Sequence, residues 1–183
     1  MSAAATIPLS PPSSEAGRPR RVVGIADMVI SDDPRELVVT YALGSCLGIT
    51  VYDPVARVGG LLHLMLPQAS LAPEKAAANP FMFADTGIPK LFLDSYQRGA
   101  KKERLIVSGA GGASFNRAEA EEAGIGQRNV TMLRKLLWKN GVLMKKHDFG
   151  GTEPRNLSLD VGTGEVSVSF GGTTRVVCEG ISR

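Results

Sequence analysis

VVTYALGSCLGITVYDPVARVGGLLHLML, running from Val38 to Leu66, is the stretch from which the rest of this chain can be read. It reads as buried strands on either side of a Gly44-Ser45-Cys46 corner. Gly and Ser extend a strand poorly, so the chain is expected to turn there. A turn leaves Cys46 at a strand end, with free backbone N–H groups beside it. His63 falls in GGLLHLML, with apolar residues on both sides. An imidazole in such a strand needs a polar partner, because an unpaired buried polar group is costly. A thiol and an imidazole in one compact unit are the minimum for nucleophilic cysteine chemistry.

Working outward, VVGIADMVI (Val22–Ile30) reads as one strand and LVVTYAL (Leu37–Leu43) as the next, joined by the turn signal Ser31-Asp32-Asp33-Pro34. LGITVYD (Leu47–Asp53) is a third. Asp53-Pro54 opens a turn, and Gly59-Gly60 leads into LLHLMLP. Gln68–Pro80 is rich in Ala and Pro and is expected to be a loop. A helix should follow, capped by Asp85 or Thr86, with Pro89 in its first turn and Gly99 as its stop. Ile88, Leu91, Phe92 and Ser95 share its inner face. RLIVSG (Arg104–Gly109) is a strand. A second helix is expected from about Gln127 to Asn140, with Val130, Leu133 and Leu137 inward and Gly141 as the stop. VLMKKHD, RNLSLDV, EVSVSF and TRVVCE then read as strands. Leu157, Leu159 and Val161 alternate with Ser158 and Asp160, so that strand has one wet face. The expectation is about eight or nine strands and two helices. This favours a layered, strand-rich α/β or α+β sandwich over a doubly wound parallel sheet.

Composition sets the outer bounds. The 183 residues suffice for one domain with a real core. Residues 1 to about 20, rich in Ser, Pro and Ala, read as a disordered tail. The domain is expected to run from Arg21 to Arg183. The formal charge is only +3, with lysines and arginines scattered, so no basic block marks a nucleic-acid site. No apolar run is long enough to span a bilayer, and the N-terminus lacks the apolar core of a secretory signal. Two cysteines make no disulfide framework, and a reducing cytoplasm is expected. Two Cys and two His without CxxC or HxxxH spacing argue against a metal site, and no cofactor is implied.

Several residues carry plainer readings. A cysteine near a strand is commonly a small core hydrophobe, and Cys178 is read that way. Cys46 differs because the Gly-Ser turn before it allows close substrate approach and offers N–H donors to an oxyanion. Gly44 and Ser45 are therefore candidate oxyanion or substrate-binding residues. GAGGAS (Gly109–Ser114) follows a strand but fails both the dinucleotide and the phosphate-loop patterns. It reads as a tight glycine turn lining a pocket, with Gly111 and Gly112 as further oxyanion candidates. His147 in KKHD reads as a solvated surface histidine, and Trp138 as a packing or rim residue.

TxxLGSC (Thr40–Cys46), YDP (Tyr52–Pro54) and GGxxHxMLP (Gly59–Pro67) together resemble the CheD chemoreceptor glutamine deamidases of chemotaxis. The resemblance continues through ADTGIPKL (Ala84–Leu91), GGAS (Gly111–Ser114), IGQRNV (Ile125–Val130) and DVGTGEVSV (Asp160–Val168). It covers the chain from about Val22 to Phe170. It implies a three-layer α/β/β sandwich like that of deamidating bacterial toxins, and a Cys-His-Thr hydrolase site matching Cys46, His63 and Thr40. It implies a cytoplasmic protein-glutamine glutaminase. The substrate would be Gln side chains of methyl-accepting chemotaxis receptors, with Glu methyl esters as a further candidate. A CheC-type phosphatase would be a partner. One departure stands out: where relatives often carry GGxxGR, this chain has Gly150-Gly151-Thr152-Glu153-Pro154-Arg155. On this basis His63 is expected to hold Cys46 as a thiolate, lowering its pKa, and Thr40 to orient the imidazole. Two other readings remain: a chemotaxis adaptor that binds receptors or the phosphatase with little turnover, and a cysteine amidase acting on a small molecule.

Overall fold

Alternating apolar residues build two five-stranded sheets, and each is completed by strands from both halves of the chain. The computed structural model describes residues 17–114, 124–144 and 146–181. The first sheet has the order β1 (Arg20–Val22), β3 (Leu37–Leu43), β8 (Arg155–Asp160), β9 (Val166–Phe170), β10 (Thr173–Cys178). The second has the order β2 (Asp27–Ser31), β5 (Val58–Leu64), β4 (Leu47–Asp53), β6 (Ile106–Gly111), β7 (Lys146–Phe149). Neighbours are antiparallel except β1 with β3 and β6 with β7. Three helices are described: α1 (Pro73–Ala78), α2 (Ala84–Gln97) and α3 (Ile125–Lys139).

The second sheet is the middle layer. Every residue of β4 and β5 is buried, the mark of strands covered on both faces. Leu47, Ile49, Val51, Leu62 and Leu64 pack against Ile88 and Leu91 of α2 and Val130, Leu133 and Leu137 of α3. Tyr52 and Leu61 face the other way, into a cluster with Val38, Leu157, Leu159, Val166 and Val168 of the first sheet. Each fully buried leucine here contributes about 1.5–3 kcal/mol. The result is the α/β/β order of layers that the family resemblance implies. Glycine sets one spacing: a Cβ on Gly60 would lie 2.6 Å from Ile30 Cδ1 and 2.9 Å from Leu91 Cδ1, so α2 can lie close on β5 only because nothing projects there.

Four local expectations need correcting. Val22–Ile30 is not one strand. Gly24 to Ala26, with Ala26 at φ 54, carry the chain from the first sheet to the second between β1 and β2. Gln68–Pro80 is not simply a loop, because Pro-Glu-Lys-Ala-Ala-Ala forms α1 with Pro73 in its first turn. Neither Asp85 nor Thr86 caps α2, which begins at Ala84 after Phe83 with no side-chain cap. The Asp85 carboxylate instead accepts from Ala69 N–H at 2.8 Å, and Thr86 Oγ1 donates to Pro80 O at 2.6 Å, tying down the preceding segment. Because α2 starts early, Pro89 lies beyond the first turn, where it withholds an N–H from the carbonyl of Asp85. The second long helix starts two residues before the expected Gln127 and ends within one of Asn140. Residues 1–16 of the expected tail lie outside the described residues.

Candidate active site

A β-bulge delivers the cysteine. Thr40 pairs with Leu157 and Leu43 with Arg155, so β3 holds one extra residue between them. Ala42 takes it up at φ 57, and its N–H is received by Asn156 Oδ1 at 3.1 Å. A bulge bends and twists its strand. Here the bend sends the chain out of the first sheet, through Gly44-Ser45-Cys46, and into β4 of the second. The corner is thus a crossover between layers rather than a hairpin.

Two glycines hold that crossover from the β6 side. Gly112 N–H donates to Cys46 O at 2.9 Å and Ala113 N–H to Gly44 O at 2.8 Å. A Cβ on Gly111 would sit 2.2 Å from Cys46 O, and its φ of 110° is itself closed to most side chains. Gly112's amide is therefore spent on the backbone of Cys46 and is not an open oxyanion donor, whereas the N–H groups of Ser45 and Cys46 donate to no other residue among the described residues. The loop from Gly150 to Arg155 supports the turn in its place. Gly150 N–H donates to Gly111 O and Ser114 N–H to Gly151 O, each at 2.9 Å. Buried Arg155 folds the loop by bonding Asp148 Oδ1 at 2.7 Å and the carbonyls of Gly150 and Glu153. That arrangement needs no glycine at Pro154.

The histidine comes from the middle layer and the threonine from the outer one. His63 is opposite Gly48 on β4, two residues beyond Cys46. It shares the inter-sheet face with Leu61 and is 1% exposed. Across the layer, Thr40 Oγ1 lies 2.8 Å from His63 Nδ1 and 2.8 Å from Val23 O. These two contacts settle the tautomer. A carbonyl can only accept, so the Thr40 hydroxyl proton goes to Val23 O and Oγ1 accepts from Nδ1–H. The neutral ring then carries its lone pair on Nε2, which is buried and has no partner.

Burial pushes the Cys46 thiol above its ordinary value, and its own backbone N–H only partly opposes this. Burial likewise pushes the His63 imidazole below its ordinary value. The expectation of a lowered thiol pKa is therefore corrected. Desolvation disfavours both charged forms, and with Nε2 unbonded no hydrogen-bonded ion pair offsets it. Both shifts favour the uncharged forms.

Two further residues border this site that the sequence reading passed over. Asn129 of α3 is fully buried, and its Nδ2 donates to Ser45 O at 3.0 Å and Met65 O at 2.9 Å. Its signal in the sequence is a polar residue at the helical spacing of Val130, Leu133 and Leu137, the inward face. Asp27 of β2 is opposite His63 on β5, with Oδ1 receiving the Met28 N–H at 2.7 Å. The plainer readings of Cys178 and His147 fit their places, whereas Trp138 is too exposed to be a packing residue. Cys178 is 8% exposed at the end of edge strand β10, His147 is exposed and stacked on Phe149, and Trp138 is 83% exposed. Among the described residues no group of His, Cys, Asp or Glu could hold a metal ion, and no helix is long and apolar enough to cross a membrane.

A family model described as CheD chemotactic sensory transduction matches residues 65–170. A Solibacter usitatus protein named probable chemoreceptor glutamine deamidase CheD is 47% identical over 145 residues, covering 79% of this chain and 85% of its own. A Syntrophus aciditrophicus protein named probable chemoreceptor glutamine deamidase CheD 1 is 48% identical over 155 residues, covering 84% and 96%. A crystal structure of a Neisseria meningitidis protein matched by the family model DUF152 aligns over 76% of this chain and 65% of that one at 14% identity, with a TM-score of 0.42, too low to establish a shared fold.

Proposed function

Since this chain belongs to the CheD family, we propose that it is a chemoreceptor glutamine deamidase in which Cys46 is the nucleophile, His63 the proton carrier and Thr40 the residue that orients it. The observation that carries the site assignment is the bond from Thr40 on one sheet to His63 on the other. It leaves Nε2 as the ring's only basic atom, and Cys46 packs against the same inter-sheet layer.

The reaction follows from neutral groups. Nε2 takes the thiol proton as sulfur attacks the Gln carboxamide carbon, a general-base step for which burial favours the unprotonated ring. The carbonyl oxygen becomes an oxyanion, met by the N–H groups of Ser45 and Cys46. The imidazolium then protonates the departing nitrogen, ammonia leaves and a thioester remains. Water, deprotonated by the same Nε2, attacks the thioester. The C–S bond breaks, the thiol regains its proton, and the product is Glu. A Glu methyl ester would give the same acyl-enzyme with methanol leaving.

This reading places the protein in the cytoplasm, acting on receptor segments there, with the domain from Arg21 onward as the catalytic unit. It also makes a CheC-type phosphatase a partner at the same surface. The test is mass spectrometry of a receptor cytoplasmic fragment incubated with the protein. Each converted Gln gains about one mass unit, because a hydroxyl replaces an amino group. An unchanged fragment mass, or a gain retained by Cys46→Ala, removes the proposal.

A further inference from the structure

We propose that Asn129 is the positioning residue of the oxyanion site: it sets the direction of the Cys46 N–H. The inference rests on Cys46 being the nucleophile. Both partners of Asn129 Nδ2 are carbonyl oxygens, Ser45 O and Met65 O. Carbonyls only accept, so the NH2 end must face them. Asn129 is the one side chain, among the described residues, bonded to both the segment carrying Cys46 and the end of the strand carrying His63.

The Ser45 bond has a stereochemical consequence. Ser45 C=O and Cys46 N–H belong to one trans peptide, in which they point in opposite directions. No cis peptide bond is present among the described residues. Drawing Ser45 O toward α3 therefore turns the Cys46 N–H away from α3. That N–H donates to no other residue among the described residues, and its one neighbour is the sulfur of its own side chain. The Met65 bond ties the same amide to a point two residues beyond His63, so nucleophile loop and base strand share one anchor.

A packing role alone does not account for the residue. Its Oδ1 is buried and unpartnered, and an orphaned buried acceptor is destabilising. Beside it, Val130 and Leu133 pack the same helix face without that cost.

Asn129→Ala and the isosteric Asn129→Asp, whose carboxylate cannot donate to two carbonyls, test this against wild type and Cys46→Ala. The measurements are kcat and KM on a receptor fragment, the rate of Cys46 alkylation by iodoacetamide across pH, and thermal unfolding. Alkylation needs the thiolate but forms no oxyanion. The expected result is a kcat lower by ~10²-fold, the scale of a lost oxyanion donor, with KM within about threefold and the limiting alkylation rate at high pH, where the thiol is fully ionised, unchanged. A kcat within about threefold of wild type in a folded variant overturns the proposal. So does a parallel loss of kcat and alkylation, which marks a collapsed loop, and so does failure of both variants to fold, which marks a structural residue. Full turnover by Cys46→Ala, or none by wild type, instead strikes the reading of Cys46 on which this rests.

Discussion

Cys46 and His63 are held by opposite means. The sulfur sits on a half-buried loop, whereas the ring is sealed between sheets with one nitrogen bonded and the other bare. Iodoacetamide should label Cys46 well before Cys178, because Cys178 is 8% exposed at a strand end. Since burial raises the Cys46 thiol, its labelling rate should still be climbing at pH values where a free cysteine has levelled off. Labelling of the two at equal rates contradicts the assignment. Thr40→Val tests the orienting bond. Without Oγ1 the Nδ1–H loses its acceptor in a buried site, and turnover should fall by roughly 10²-fold, the scale of a general acid–base contribution. Activity within a few-fold of wild type in a folded variant would take Thr40 out of the site. His63 also sets a pH dependence of stability. Its folded pKa lies below its ordinary value of 6.5, so between the two the unfolded chain binds more protons. Stability should therefore decline as pH falls from about 6.5 toward the folded pKa. Urea unfolding across that range checks this, and His63→Gln should flatten the curve.

The elements around the site depend on backbone conformations that side chains resist. Gly111→Ala would place a methyl 2.2 Å from the Cys46 carbonyl at a φ of 110°. Strain of this kind costs of order 1–3 kcal/mol, and the overlap is with backbone rather than a side chain that could swing aside. The crossover must shift, so kcat should fall more than stability alone explains. Urea unfolding beside steady-state kinetics separates the two effects, and an active, undestabilised variant would show that the turn is not a support. The inner helix faces were legible because Leu91 and Leu133 fall on a 3.6-residue period. The start of α2 was not, because Asp85 and Thr86 are good caps by residue type yet bond to Ala69 and Pro80. Local preference lost there to a tertiary bond.

At the scale of the molecule, the two sheets and the helical layer leave the half-buried Cys46 at the crossover between the ends of β3 and β4. A CheC-type phosphatase that uses the same rim should compete with the receptor. Competition would appear as a raised apparent KM with little change in kcat. Simultaneous binding of both proteins with unchanged kinetics would place the partner elsewhere, and the Gly150–Arg155 loop behind the glycine turn is the first region to substitute in locating it. The sequence by itself determined the residue types and their order. It supplied a thiol after a Gly-Ser corner, an imidazole in an apolar strand, a strand-rich chain with two main helices, and a family signature spanning most of it, because periodicity and turn chemistry are local properties. Only the tertiary structure decided that β3 and β4 belong to different sheets, that Thr40 reaches His63 across the layer between them, and that Asn129 holds both segments from a helix far along the chain. It also set the electrostatics of the site, because burial pushes the thiol up and the imidazole down, and burial is a property of the packed layers that no short stretch of sequence contains.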